Sequence, residues 1–210
     1  MELKLKECPK NPTIIEGFPG VGLIGTITTE YLIKHLKAKA IGFIKSEEIA
    51  PIAAVHEGKV VQPLELYYVK SKNLIIVHSL VDVRGIEWEI AEALTEVYKK
   101  LKAKEIISIE GIMSQDVTSI KTYYFANKTI QAKKFANSSA KPLKEGILMG
   151  VTAALLLHSK DIITTGVFVE THTKLPDSMA SARIIEILDI YLNLGVDYKP
   201  LEKAAKEFED

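Results

Sequence analysis

Cysteine is nearly absent: the single Cys8 can form neither an internal disulfide nor a thiolate metal cluster, and a reducing compartment is expected. Arginine is almost as rare, with Arg84 and Arg183 the only two among 27 basic residues. Bidentate recognition of phosphates and base edges favours arginine, so the lysine excess argues against nucleic acid as a partner. Net charge is missing as well. The 27 acidic residues cancel the basic ones, and no global field draws polyanions or anionic lipid. No apolar run approaches the roughly 20 residues that span a bilayer, and the opening MELKLKECPKNP is too polar for a secretory signal. A cytoplasmic protein without a membrane partner is expected. Asparagine and glutamine are scarce while Lys, Glu and Ile abound, a balance that points to a heat-loving source.

What remains is an ordinary folding composition, 47% apolar and 26% charged over 210 residues, enough for one α/β domain with a sizeable core. Thr13 to Glu16 reads as a short strand, followed by a glycine loop and a helix from Gly20 to Lys37. Ala40 to Lys45 suits a second, buried strand. Lys59 to Lys70 alternates, with Leu64, Leu66 and Tyr68 on one side and Glu65, Tyr67 and Val69 on the other, and Pro63 predicts an edge position or a bulge. Asn73 to Ser79 and Glu105 to Glu110 read as buried strands, with Gly111 opening a loop after the second. Between them Ile86, Ile90, Leu94, Val97 and Leu101 mark one face of an amphipathic helix.

Thr122 to Phe125 reads as a strand and Asn127 to Pro142 as loops. Gly146 to His158 is almost wholly apolar and predicts a buried helix or loop-helix element. Thr164 to Thr171 is a last strand. A long helix to Leu194 follows, with Asp177 as N-cap and Gly195 as terminator, and a charged helical tail covers about 199–210. Strands alternating with helices throughout 1–210 predict a single domain, a three-layer α/β sandwich around a mostly parallel sheet.

Signatures of catalysis are mostly wanting: there is no phosphate-loop lysine motif, no H-E-x-x-H and no G-x-S-x-G. The nearest match is Gly20-x-Gly22-x-x-Gly25, between a strand and a helix, where main-chain N–H groups can meet an anion. Glu47, 22 positions after Gly25, could serve as a ribose-binding acid in such a site. The other reading is structural: Gly17, Gly20, Gly22 and Gly25 permit a tight turn and close helix-to-sheet packing. His78 with Asp82 is the pair to check for acid–base work, against a structural histidine. Glu110 at a strand end and Glu47-Glu48 in a loop make a carboxylate cluster conceivable. Cys8 has no base beside it and is given no nucleophilic role.

The segment EGFPGVGLIGTITTEYLIKHL resembles the opening signature of the proteasome assembly chaperone family and its archaeal relatives. GILMGVTAALLLH at 146–158 is similar to that family's internal glycine-and-leucine segment. KLPDSMASARIIEILDIYLNLGVDYKPLEKAAKEFE is similar to its C-terminal Pro-Asp helix and acidic tail. The resemblance implies a phosphorylase-like α/β sandwich, an ATP-independent role without a cofactor, and members that form dimers or rings and dock on proteasome α-subunits. Docking members often end in a hydrophobic residue, a tyrosine and one further residue. This chain ends in Phe208, Glu209 and Asp210, with a charge where the ring would be.

The expected function is therefore a non-enzymatic interaction protein of that type, a homo-oligomer that binds proteasome α-subunits or another protein. The Ile184 to Leu194 helix and the Trp88 region are the candidate self-association faces. The alternative is a ligase- or phosphorylase-like enzyme that holds a nucleotide or small molecule at Gly20, Gly22, Gly25 and Glu47.

Overall fold

Aliphatic and β-branched residues at period two extend the chain and give each strand two apolar sides, which only a sheet covered on both faces can bury. The computed structural model describes residues 1–209 apart from 57, 117, 118 and 159, and for 206–209 the backbone alone. The strands are β1 (Glu2–Leu5), β2 (Thr13–Gly17), β3 (Lys39–Lys45), β4 (Ala54–His56), β5 (Lys59–Val61), β6 (Leu64–Val69), β7 (Leu74–Ser79), β8 (Glu105–Met113), β9 (Thr122–Ala126), β10 (Lys141–Pro142) and β11 (Thr164–Thr171). The helices are α1 (Ile24–His35), α2 (Glu87–Leu101), α3 (Thr129–Phe135), α4 (Gly150–His158), α5 (Ser178–Leu192) and α6 (Lys199–Glu209).

Nine strands form one sheet in the order β1-β3-β6-β7-β2-β8-β11-β9-β10, and β4 and β5 pair as a separate hairpin. The central strands β7, β2, β8 and β11 are parallel, while antiparallel pairs join β1, β3 and β6 on one flank and β9 on the other. Ile14, Ile75, Val77 and Ile106 face α2 and α4. Their neighbours Ile15, Ile76, Ile107 and Ile109 face α1 and α5. The result is the expected three-layer sandwich.

Local signals set the helix ends. The Asp177 side chain accepts from Ala180 N at 2.8 Å and starts α5, whereas Asn193, rather than the expected Gly195, takes the left-handed position that ends it. Lys102 ends α2 in the same way.

Four expectations need correction. β6 is internal, between β3 and β7: Pro63 lies just before its first residue, where no ladder donor is needed. β8 runs through Gly111 to Met113 instead of opening into a loop. The stretch 127–142 contains α3, whose Phe135 is buried and stacks between Tyr124 (5.5 Å) and Tyr191 (3.9 Å). The apolar run 146–158 is not buried: Val151, Ala154 and Leu155 reach the core, while Ile147 is 89% exposed, Met149 74% and Leu157 71%.

Candidate functional site

The carboxyl ends of β2, β8 and β11 meet the glycine loop, the position at which parallel α/β sheets commonly hold ligands. There the first turn of α1 presses on the end of β2. A Cβ on Gly17 would lie 2.5 Å from the Gly25 carbonyl oxygen, and one on Gly25 would lie 2.8 Å from Gly17 Cα. Gly22 has φ +66°, and its carbonyl accepts from Asp177 N at 2.9 Å. Gly20 is extended, with the nearest foreign atom 3.9 Å from a built Cβ. A further glycine, Gly111, meets the loop from β8: its Cβ would stand 2.3 Å from the Val21 carbonyl oxygen. The residue whose main chain meets this loop is acidic. Asp177 Oδ2 accepts from Thr171 Oγ1 at 2.6 Å, and a carboxylate beside main-chain N–H groups opposes an incoming phosphate.

Beneath the loop, on the α4 side of the sheet, lies a buried polar chain. Ser108 Oγ is in short hydrogen-bond contact with both Glu16 Oε1 and Thr152 Oγ1. Thr152 Oγ1 and its main-chain N–H both donate to Glu110 Oε1, at 2.7 and 3.3 Å. The three side-chain oxygen contacts, Glu16–Ser108, Ser108–Thr152 and Thr152–Glu110, each require a hydrogen, and the two hydroxyls supply two. The third must come from a carboxyl group. Glu16, fully buried, has its pKa pushed up to about 8, chiefly by desolvation and least by the charge of Glu110, against the lowering effect of its Ser108 hydrogen bond. Burial also raises Glu110, although its Thr152 bonds favour the ionised form. At neutral pH the proton sits on Glu16, and the chain runs from it through Ser108 and Thr152 to Glu110, which accepts from the first turn of α4.

The other sequence candidates do not join this group. His78 projects from the opposite face, where Nδ1 lies 2.8 Å from Thr29 Oγ1 of α1, and burial lowers its pKa to about 4. Asp82, its expected partner, instead binds Arg84 main-chain N at 3.0 Å and Nε at 2.6 Å. Glu47 is exposed after β3, which three other strands separate from β8. Cys8 is exposed. Among the described residues no group of His, Cys, Asp and Glu is gathered to hold a metal ion, and no helix is long and apolar enough to cross a membrane. Glu16, Ser108 and Thr152 were not singled out from the sequence. An acid inside the otherwise uncharged strand TIIEG was the available signal.

Most of the exposed apolar side chains lie off α5. Ile184, Ile185, Ile187 and Leu188 of α5 are consumed by the chain's own core, which leaves only Ile190 of that helix broadly exposed, and Trp88 stands exposed on α2. An apolar groove of about 470 Å³ runs along α4, walled by Phe125, Leu143, Leu148, Leu156 and Leu157 with Lys144 and Glu145 at its side. The tail helix α6 packs Leu201 and Ala205 inward, and Glu202 reaches Arg183 of α5 at 3.5 Å. Phe208 and Glu209 continue this helix, their side chains undescribed, and Asp210 lies outside the described residues.

Comparison with known proteins identifies this arrangement. A model of the PAC2 family matches residues 14–210. An uncharacterized protein of Methanocaldococcus jannaschii is 28% identical over 96% of this chain and 84% of its own. The structure of Pyrococcus furiosus PbaA, described as an archaeal homolog of proteasome-assembly chaperone, superposes with a TM-score of 0.90 at 29% identity, covering 99% of this chain and 92% of that one. PbaB of the same organism, described as an archaeal proteasome activator, shares the fold at 24% identity and a TM-score of 0.86, covering 99% and 95%.

Proposed function

From the premise that this chain belongs to the PAC2 family, we propose that it is a non-enzymatic, proteasome-assembly-chaperone-like protein that self-associates and binds proteasome α-subunits or another protein partner. The observation that carries this reading is the apolar surface of Leu143 to Leu157. Ile147, Met149 and Leu157 stand in solvent beside a groove, an arrangement that marks partner surfaces in proteins with an otherwise well-buried core. The likeness to PbaA supports the same class of role.

The glycine loop is assigned a packing role. Its neighbours are Asp177, Thr171 and the Gly111 strand, and Glu16 and Glu110 are occupied with each other through two hydroxyls. Under this assignment a thermal-shift panel of ATP, ADP, NAD, nucleosides and phosphate leaves the melting temperature unchanged. A ligand at 100 times its Kd would add about 2.7 kcal/mol, so saturable stabilisation by any member of the panel revives the enzyme reading.

The partner is tested by affinity capture of the tagged protein with proteasome α-subunits. Capture is expected with the intact chain. If Phe208, Glu209 and Asp210 form the contact, removing them abolishes it. Unchanged capture places the contact elsewhere, and no capture from either form removes the proteasome from the proposal.

A further inference from the structure

The chain carries two apolar surfaces of opposite charge at opposite flanks of its sheet. The first is the hairpin β4–β5, which joins β3 to β6 but belongs to a sheet of its own. Val55 and Val60 are directly paired across it and so share a face, at 73% and 63% exposure, and Ile52 is exposed just before it. A lone two-stranded hairpin is marginal in water, and one that displays paired valines gains by seating them against another surface. The approach to it is acidic: residues 46–56 contain Glu47 and Glu48 and no Lys or Arg, although Lys59 follows in β5 itself.

The second surface is the groove along α4, with Phe125 of β9 and Leu143 beside β10 in its wall. The chain around it is basic. Lys144 stands in its wall and Lys128 and Lys141 lie on the segments that flank it, with Glu145 the one acid in the wall. A volume of about 470 Å³ accommodates a few aliphatic side chains. β6, at the base of the hairpin, and β9, at the groove, are separated by β7, β2, β8 and β11. At about 4.8 Å per strand the two lie roughly 24 Å apart across the sheet, so the hairpin serves a groove in another molecule.

We propose that copies of this chain join head to tail, the β4–β5 hairpin of one protomer seating its paired valines in the α4 groove of the next. This rests on the self-association in the reading above and names the surfaces that perform it. Apolar burial supplies the attraction, and Glu47 and Glu48 before the hairpin against Lys128, Lys141 and Lys144 beside the groove set the polarity. Because the two surfaces differ, the contact is heterologous, and repeating it gives a ring if the rotation closes and a filament if it does not.

The test measures the mass of the full chain by light scattering. The parent protein is expected as a multiple of 23.3 kDa. Val55→Glu, which breaks the hairpin surface, and Leu157→Glu, which breaks the groove, should each run as a monomer. Mixed together they should form a dimer and nothing larger, because one intact hairpin then meets one intact groove. As an independent route, Lys144→Glu should weaken assembly and Glu47→Lys with Glu48→Lys in the same chain should restore it. A monomeric parent overturns both the proposal and the self-association it rests on. A parent that assembles while both glutamate variants also assemble, or variants that stay monomeric when mixed, overturns the hairpin–groove contact and leaves self-association standing.

Discussion

Gly25→Ala is expected to cost roughly 3 kcal/mol or more, whereas Gly20→Ala, five positions earlier in the same loop, should change stability by less than about 0.5 kcal/mol. The difference comes from what each new methyl group meets. At Gly25 it would lie 2.8 Å from Gly17 Cα and from the Phe18 carbonyl oxygen, both main-chain atoms that cannot rotate aside. The first turn of α1 would have to lift from β2, carrying with it the Thr29 hydroxyl that donates to the Gly25 carbonyl at 2.8 Å. At Gly20 the backbone is extended, and the nearest atom is 3.9 Å away.

Gly22→Ala should fall between the two. It is strained by its positive φ, but its neighbours are the side chains of Ile24 and Thr171, which can shift. For a chain of this size, 3 kcal/mol lowers the melting temperature by about 6–12 °C, well within calorimetric reach. A phosphate cradle would make a different pattern, with all three positions losing ligand-induced stabilisation whatever their packing. Equal losses of stability at Gly20 and Gly25 would refute the packing role.

Stability should fall as pH rises from 6.5 to 8, by about 1.4 kcal/mol per pH unit at first and about half that slope at pH 8, or about 1–2 kcal/mol over the interval, and Glu16→Gln should remove most of that slope. The folded chain keeps a proton on Glu16 up to about pH 8, while the unfolded chain releases it near 4.5. The contribution is therefore complete below pH 4.5 and lost on passing through 8. His78 acts in the opposite sense. Its folded pKa of about 4 lies below the ordinary 6.5, so acid favours the unfolded chain between those values.

Between about pH 4.5 and 6.5 the two slopes oppose each other, and above 6.5 the His78 contribution fades. Glutamine retains an N–H donor towards Ser108 and has no charge to desolvate, so the variant should hold its stability at pH 8. Glu16→Ala strands Ser108 and leaves a void, which should cost about 2–4 kcal/mol at pH 6.5 and less at pH 8, where the parent has lost part of the Glu16 contribution. Urea unfolding midpoints at pH 6.5, 7.25 and 8 read the effect directly. A parent and a Glu16→Gln variant of equal slope would show that Glu16 is ionised in the fold and that the missing hydrogen is carried by Glu110.

The readable parts of this chain were those whose cause is local. β7 is an unbroken aliphatic run, α2 repeats Ile90, Leu94, Val97 and Leu101 along one face, and Asp177 caps α5 within three residues of itself. The helix α3 was read as loop because its short, lysine-rich sequence contains one large buried residue, Phe135, and that residue is held by Tyr124 and Tyr191 from distant elements. The run 146–158 was read as buried because apolar content does not reveal which side has a neighbour. The pairing of His78 with Asp82 failed because four residues of separation at a strand end placed the two differently, and α1 supplied Thr29 instead.

Periodicity of apolar residues and capping side chains sufficed to determine the alternation of strands and helices and the layered architecture, since each acts between residues a few positions apart. Tertiary structure alone decided the strand order, and with it that Ser108 meets Glu16 across 92 positions of chain, that α5 spends its isoleucines inward, and that a hairpin and a groove stay uncovered. The physical reason is that burial and proton sharing depend on which surfaces the sheet brings together, and that choice is made by the packing of the whole chain.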